Sequence, residues 1–305
     1  MAETRPKWPN ALDKVFRQLF DEGEAKFVSR LDKVFHVENS ENAYEQDSSL
    51  SGFGQHEETA ELQNIPFEDR VPGWEVTYTH RKYSKGASIS QEMIDDNKWG
   101  LVKKTPKALA LSKMRSLEQM GADVFNFGFV AGGGGKAKFK GGDNQALFST
   151  THVNRAGDIT QSNKITTALS QSSLQTVSSA MKKRKDSKGM IIEYMPSILL
   201  VPTELEYTAK IILETTQAVG NNNNDINPMH NSLELVVWPY LTSSTAWFVL
   251  DGDAHELNFF IRKDEGVQGP VWNFDNDSAK WKSVFRASAG FSDWMGVYGS
   301  VGDNS

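Results

Sequence analysis

The 305-residue chain contains no cysteine. Disulfide staples, thiolate metal sites and a cysteine nucleophile are excluded together, while any redox compartment suits such a chain. A long apolar run is also missing, since no stretch approaches the ~20 residues that a membrane-crossing helix needs. The opening Met1-Ala2-Glu3-Thr4-Arg5-Pro6-Lys7 lacks the apolar stretch of a signal peptide. The expectation is therefore a soluble protein made in the cytoplasm, without a membrane partner. Strong charge of one sign is absent as well. Lys and Arg number 33 against 39 Asp and Glu, a net charge of −6, which argues against a protein dedicated to coating DNA. What is present suits a folded protein: 38% hydrophobic and 24% charged residues, and enough length for one large domain or two ordinary ones.

Apolar residues Leu12, Val15, Phe16, Leu19 and Phe20 follow at helical spacing behind Asn10, a candidate N-cap. The pattern resumes at Phe27, Val28, Leu31, Val34 and Phe35, so two amphipathic helices, or one interrupted helix, open the chain. Their stripe must cover either the body of the subunit or a neighbour. Residues 37–73 are polar and acidic with few apolar anchors. Residues 74–79 then alternate as a strand does, and 83–89 reads as its partner or its continuation. A long polar excursion ending in strands is unusual inside a compact domain and points to order supplied by another chain.

The strongest helix signal covers 105–130, with Thr105 as cap, Pro106 at the first helical position, and Ala110, Met114, Leu117, Gly121, Val124 and Phe125 on one face. Such a helix is roughly 38 Å long. The run Gly132-Gly133-Gly134-Gly135 stops it. A Ser/Thr-rich helix carrying Leu169, Leu174, Val177 and Met181 is expected from Ser162 onward, and 190–201 reads as two strands or one bent at Pro196. Another helix starts at Pro202-Thr203 with Leu205, Ala209, Ile212 and Leu213, followed by a loop at 220–225. Strands are expected at 233–241, 245–250 and 257–262, and the tail 283–299 reads as a closing strand. No solenoid-period repeat occurs. The fold class is α+β with segregated elements.

Motifs that carry chemistry mostly fail on inspection. Gly132 to Lys136 resembles part of a phosphate loop, but Val130 and Ala137 stand where glycine and Ser/Thr are needed, so a hinge is the reading. His36, His56, His80, His152, His230 and His255 are scattered without ligand spacing. Ser149 with His152 suggests a nucleophile and base, yet no GxSxG elbow is present, and a loop stabilised by side chain-to-backbone bonds accounts for them. Lys182-Lys183-Arg184-Lys185 reads as a solvated helix end, with phosphate or acidic contact as the alternative. Asp251, Asp253 and Glu256 lack the EF-hand pattern and read as a turn. Trp238, Trp247, Trp272, Trp281 and Trp294 crowd the last quarter as core or as subunit contacts. No catalytic, cofactor-binding or metal residue is assigned, and no cofactor is expected.

A set of segments in order carries a resemblance. These are Ser51-Gly52-Phe53-Gly54; Thr77-Tyr78-Thr79 with Tyr83, Gly86 and Ile89-Ser90; Ala146-Leu147-Phe148-Ser149-Thr150-Thr151-His152; Leu199-Leu200-Val201-Pro202-Thr203-Glu204-Leu205-Glu206; and Val236-Val237-Trp238-Pro239-Tyr240-Leu241 with Trp247-Phe248. Their order and spacing cover about three-quarters of the chain and resemble the tailed-phage major capsid protein, the Hong Kong 97 type fold, closest to Mu-like major head subunits.

The resemblance implies an N-terminal arm over 1–49 and an extended E-loop hairpin over 50–92 that lies on a neighbour. It further implies a peripheral domain over 93–149 with spine helix 105–130, a mainly axial domain over 150–262, and return strands of the peripheral domain over 263–305. The implied function is structural, not enzymatic: self-assembly into pentamers and hexamers of an icosahedral phage shell enclosing double-stranded DNA. The protein would belong to the virion capsid and assemble in the host cytoplasm. Its partners would be itself, scaffolding, portal and decoration proteins as further candidates, and DNA enclosed without sequence-specific binding. Some members cross-link Lys to Asn between subunits. Lys82 and Lys85 lie where an E-loop lysine would, but acceptor and catalytic carboxylate find no match, and that chemistry is not carried over. An encapsulin-like compartment shell is the alternative of the same fold, and a hydrolase using Ser149 and His152 is the alternative from another class. If the opening stripe packs partly on neighbours, deleting residues 1–36 should weaken assembly more than folding.

Overall fold

The structure is a computed structural model that describes residues 8–50, 52–70, 72–96, 99–130, 139–153, 160–217, 226–273 and 275–303. The expected glycine hinge at 132–135 and the loop at 220–225 lie outside the described residues. Helix α1 (Trp8–Ala25) begins before Asn10, which therefore sits in the first turn instead of capping it. The second expected helix shrinks to α2 (Leu31–Val34), because residues 27–30 leave the helix and Arg30 makes no side-chain cap.

Strands β1 (His36–Asn39), β2 (Tyr44–Leu50), β3 (Pro72–Thr79) and β4 (Arg81–Ser90) follow. The short α3 (Gln91–Asp95) and α4 (Trp99–Val102) lead into α5 (Lys104–Asn126), which at 23 residues is roughly 35 Å long. It starts before Thr105, with Pro106 inside its first turn, where a missing N–H costs nothing. Then come β5 (His152–Val153), β6 (Thr160–Gln161), β7 (Lys164–Ile165) and α6 (Gln171–Lys182). Helix α6 starts later than Ser162 because Ser170 and Ser173 close a reciprocal capping box. Next are β8 (Ile198–Val201), a 3-10 turn at Thr203–Leu205 and α7 (Glu206–Glu214). The chain ends with β9 (Glu234–Val237), β10 (Trp247–Leu250), β11 (Leu257–Asn273), β12 (Ser278–Phe291) and β13 (Val297–Ser300).

Two main sheets organise these elements. One has the order β1-β11-β12-β4 and the other the order β7-β13-β10-β8-β9. Strand β3 pairs antiparallel with β2, while β4 pairs with β12, so 83–89 continues from 74–79 and is not its partner. Strand β11 runs far beyond 262 because its ladder with β12 absorbs three register shifts, across residues such as Lys263-Asp264-Glu265-Gly266 that alone read as a turn. Only 198–201 of the 190–201 stretch is strand. Ahead of it Ile191 makes a single bridge to Lys185, and Met195 N–H is taken by Asp251, so no ladder forms. The tail supplies two strands, β12 and β13, instead of one.

The core lies in three clusters. The largest joins α5 to both sheets through Phe125, Phe148, Trp238, Phe248 and Phe259. Gly121 lets α2 approach α5: a Cβ there would fall 2.5 Å from a Leu31 methyl and 3.1 Å from the Trp238 ring. A second cluster packs α6 and α7 on the five-stranded sheet around Trp247. The third holds α1, where Phe20 is fully buried and Phe16 stacks on Trp281 at 4.3 Å between centroids. Lys113 of α5 binds Glu24 of α1 and Asp264 of β11, each at 2.6 Å. Of the opening apolar stripe, Phe16, Phe20, Leu31, Val34 and Phe35 are therefore covered by the chain's own body, while Val15 and Val28 stay exposed.

Candidate assembly surface

The hairpin of β2 and β3 leaves the four-stranded sheet at a root built from small polar side chains. His80 is buried there, its ring nitrogens 3.0 Å from Ser40 Oγ and 3.0 Å from Ser288 Oγ. Desolvation holds its pKa below the usual histidine value. Ser40 Oγ donates to Glu45 at 2.5 Å, and the Arg262 guanidinium donates to the carbonyls of Asn42 and Glu41. The strand β4 that continues past His80 is thus tied to the four-stranded sheet, while β2 and β3 pair only with each other, β3 touching the body through Tyr78 on Phe260 and the Trp74 indole on the Val153 carbonyl.

Residues 52–70 join β2 to β3 and have almost no regular structure. Glu68 is bound by Lys188 at 2.6 Å and by the backbone N–H of Gly54 at 2.8 Å. Between these ties the segment exposes Leu62, Ile65 and Phe67, with Phe67 97% exposed. Single exposed apolar residues are common on any surface, but three within six positions of one irregular segment mark a contact site.

The residues singled out in the sequence fall elsewhere. Ser149 and His152 do not pair. His152 is fully buried, with Nδ1 2.6 Å from Asp143 and Nε2 3.1 Å from Asn163 Oδ1, and its ring stacks on Trp294 at 4.2 Å. The Ser149 hydroxyl instead meets Gln145 and Thr151 and accepts the Thr151 N–H, the loop role expected of it. The basic run is not a uniform face. Arg184 is buried, donates to the carbonyls of Met295, Trp294 and Ser162, and lies 4.8 Å from the Trp294 ring. Burial pulls its pKa down to about 10. Only Lys182, Lys183 and Lys185 remain solvated. Asp251 accepts the N–H groups of Asp253, Ala254 and Met195, which makes a turn as expected. His36 stacks on His255 at 4.4 Å, and His56 and His230 are exposed. Among the described residues no group of three His, Cys, Asp or Glu is placed to hold a metal ion, and no helix is long and apolar enough to cross a membrane. Trp238, Trp247, Trp281 and Trp294 are core, whereas Trp272 is 41% exposed.

Three residues not singled out carry much of the internal wiring. Glu118 accepts hydrogen bonds from the Ser29 hydroxyl, the Arg30 N–H and the Trp238 indole. Asn163 joins Ser149, Leu147, Trp294 and His152, and Lys113 clasps α1 to β11. A signal existed for two of them: Lys113 and Glu118 fall on or beside the apolar face of α5, where a charge needs a buried partner.

This architecture is that of capsid subunits. It superposes on the capsid of bacteriophage JBD30, decorated with minor capsid protein trimers, with a TM-score of 0.57, 14% identity, and coverage of 79% of this chain and 100% of that one. A virus-like particle from Pyrococcus furiosus gives 0.54, 10%, 94% and 98%, and the capsid of an empty GTA particle gives 0.54, 13%, 90% and 90%. No curated protein sequence matches the chain. The family described as Phage capsid protein matches residues 74–300, and the chain belongs to it. It is a structural capsid protein, and neither the compartment shell nor the hydrolase is favoured.

Proposed function

We propose that the chain is a major head subunit of Hong Kong 97 type, with Mu-like head subunits as its nearest kin, assembling with copies of itself into pentamers and hexamers of an icosahedral shell around double-stranded DNA. In this reading α5 is the spine helix and the four-stranded sheet with it is the peripheral domain. The five-stranded sheet with α6 and α7 is the axial domain. The E-loop expected over 50–92 corresponds to β3, its partner β2 and the segment between them, with the β4 part of that range paired to β12. The chain works without catalysis and resides in the virion capsid after assembly in the host cytoplasm.

One observation carries the reading: a hairpin whose connecting segment leaves Leu62, Ile65 and Phe67 exposed among the described residues. Burial of such residues contributes on the order of 2 kcal/mol each, small for one contact and large when repeated around a closed shell. The test is negative-stain electron microscopy with sedimentation of the chain expressed alone. Closed shells, tubes or capsomer rings are expected, and the triple substitution Leu62→Ser, Ile65→Ser, Phe67→Ser should abolish them while the subunit stays folded. Unchanged particle yield from that variant would refute the proposal.

A further inference from the structure

The ribbon of β2 and β3 rests on its own subunit, and its far end meets a turn of the same chain at residues 186–190. Asp186 shapes that turn. Its Oδ1 accepts the N–H groups of Lys188 and Met190 at 2.8 and 2.9 Å, its own N–H donates to the Met190 carbonyl, and Gly189 turns the chain at φ +80°. The turn presents Lys188, whose ammonium lies 2.6 Å from Glu68. Glu68 also accepts the Gly54 N–H, and the Arg70 guanidinium lies 5.7 Å from the Phe53 ring centroid. The two ends of the 52–70 segment are thus held to each other as well as to the turn.

Both sides of this seam match. Gly52 permits the approach, since a Cβ there would fall 2.7 Å from Asp186 Oδ2. Charge is complementary beyond the single pair: the exposed Lys182, Lys183 and Lys185 immediately precede the turn, and the segment carries the exposed Glu57, Glu58, Glu61 and Asp69. All of these charges are exposed, so the hold is weak and screened by salt, as suits a contact that opens. While it is closed it limits reach. Leu62, Ile65 and Phe67 stand six, three and one residues from Glu68, so at about 3.3 Å per residue none lies more than roughly 20 Å along the chain from its own subunit's turn. Once it opens, the segment gains the swing of a ribbon whose β3 is eight residues, roughly 26 Å, long.

We infer that the contact of Gly52 and Glu68 with the 186–190 turn is an autoinhibitory latch: it parks the association segment on its own subunit, and it opens before residues 57–67 reach another copy. The inference rests on the reading that the chain assembles with itself and adds the step that licenses the contact. Only the open fraction is competent, so the rate of assembly scales with that fraction. The basic run ahead of the turn, which no catalytic or structural role absorbs beyond Arg184, gains a function as the electrostatic seat of the parked segment.

The cysteine-free chain makes the test direct. Gly52→Cys with Asp186→Cys places two thiols across the seam, and oxidation of unassembled subunits should close a disulfide within one chain. The oxidised subunits should form particles at a tenth of the parental yield or less, and reductant should restore it. In the other direction, Lys188→Glu opens the latch. It should raise the initial rate of assembly, followed by light scattering at low salt, about two- to fivefold, as loss of an exposed ion pair allows. Adding Glu68→Lys remakes the pair and should return the parental rate. A circular dichroism melt confirms that the variants fold. Where reductant fails to restore assembly, the Lys188→Glu rate decides alone. A disulfide that does not close, oxidised subunits that assemble at the parental yield, or a Lys188→Glu rate equal to the parent's overturns the inference and leaves the shell reading intact. A parent chain that forms no particles refutes the shell reading itself, and the latch with it.

Discussion

Replacing Phe20 by alanine tests whether α1 is part of the subunit's own core. The ring is fully buried between α1, α5 and the four-stranded sheet, with the Lys113 ammonium 5.7 Å from its centroid. Truncating a phenylalanine in such a site costs about 3–5 kcal/mol, the lost transfer energy plus the cavity left behind. Whole domains are stable by about 5–15 kcal/mol, so one substitution should remove a third or more of the total. Loosening α1 also weakens the clasp that Lys113 makes with Glu24, whose carboxyl burial already pushes above its usual pKa. The assay is urea unfolding of unassembled subunits, followed by tryptophan fluorescence. Trp281 reports on the same cluster because Phe16 stacks on it. The midpoint should fall by an amount equivalent to about 3 kcal/mol or more. A variant with an unchanged midpoint and impaired particle formation would refute the argument and return α1 to the role of an arm reaching a neighbour.

Two further outcomes follow from the buried polar groups. His152→Ala should destabilise by about 3–5 kcal/mol, because it strands the Asp143 carboxylate, 2% exposed, without its partner, whereas Ser149→Ala should cost about 1 kcal/mol or less. Thermal melts that rank the two the other way would sink the assignment. Acid should weaken the subunit through His255, whose pKa is lowered to about 4 by burial and then by His36, with Asp251 and Asp253 acting the other way. Its folded pKa lies below the unfolded value near 6.5, so the unfolded chain takes up the proton first. Stability then falls as pH drops from 6.5 to 4, by up to about 3 kcal/mol. Glu256, raised to about 7 chiefly by desolvation, contributes with the opposite sign, and its exposure reduces its share. His255→Asn keeps an acceptor for the Leu257 N–H and should flatten the slope between pH 6.5 and 4; an unchanged slope would exclude His255 as its source.

Elements with their own local grammar were legible in the sequence. Helix α5 shows an apolar face and Pro106 at its start, and β8 and β10 show short, wholly apolar runs that match their full burial. Where a partner distant in sequence decides the structure, the reading left alternatives open or stopped short. Residues 83–89 look the same whether they pair with 74–79 or with β12, and the register that settles it belongs to residues nearly two hundred positions away. Strand β11 hides behind Lys263 to Gly266, because a bulged ladder tolerates turn-like residues that an isolated strand does not. Arg184 looks like one member of a cationic run, and only the carbonyls of Met295 and Trp294 and the two facing rings make it a core residue.

The same limit separates the two apolar features that suggested contact with a neighbour. The stripe of α1 and the residues Leu62, Ile65 and Phe67 carry one message in sequence, apolar surface without an evident local core. Their fates differ because of what lies within reach. Helix α1 is a rigid element whose Phe16 and Phe20 match a complementary wall of Trp281, Leu109 and Ala110, and Glu24 finds a buried ammonium at its end. The 52–70 segment joins a two-stranded ribbon pinned at Ser40, His80 and Arg262, and its tie to Lys188 through Glu68 leaves Leu62, Ile65 and Phe67 exposed. A chain that clasps one apolar stripe with an ion pair and leaves another exposed on the segment between two ribbon strands has divided its apolar surface between folding and association. Substitutions should sort the same way: changes beneath α1 move the unfolding midpoint, and changes in 57–67 move only the yield of particles.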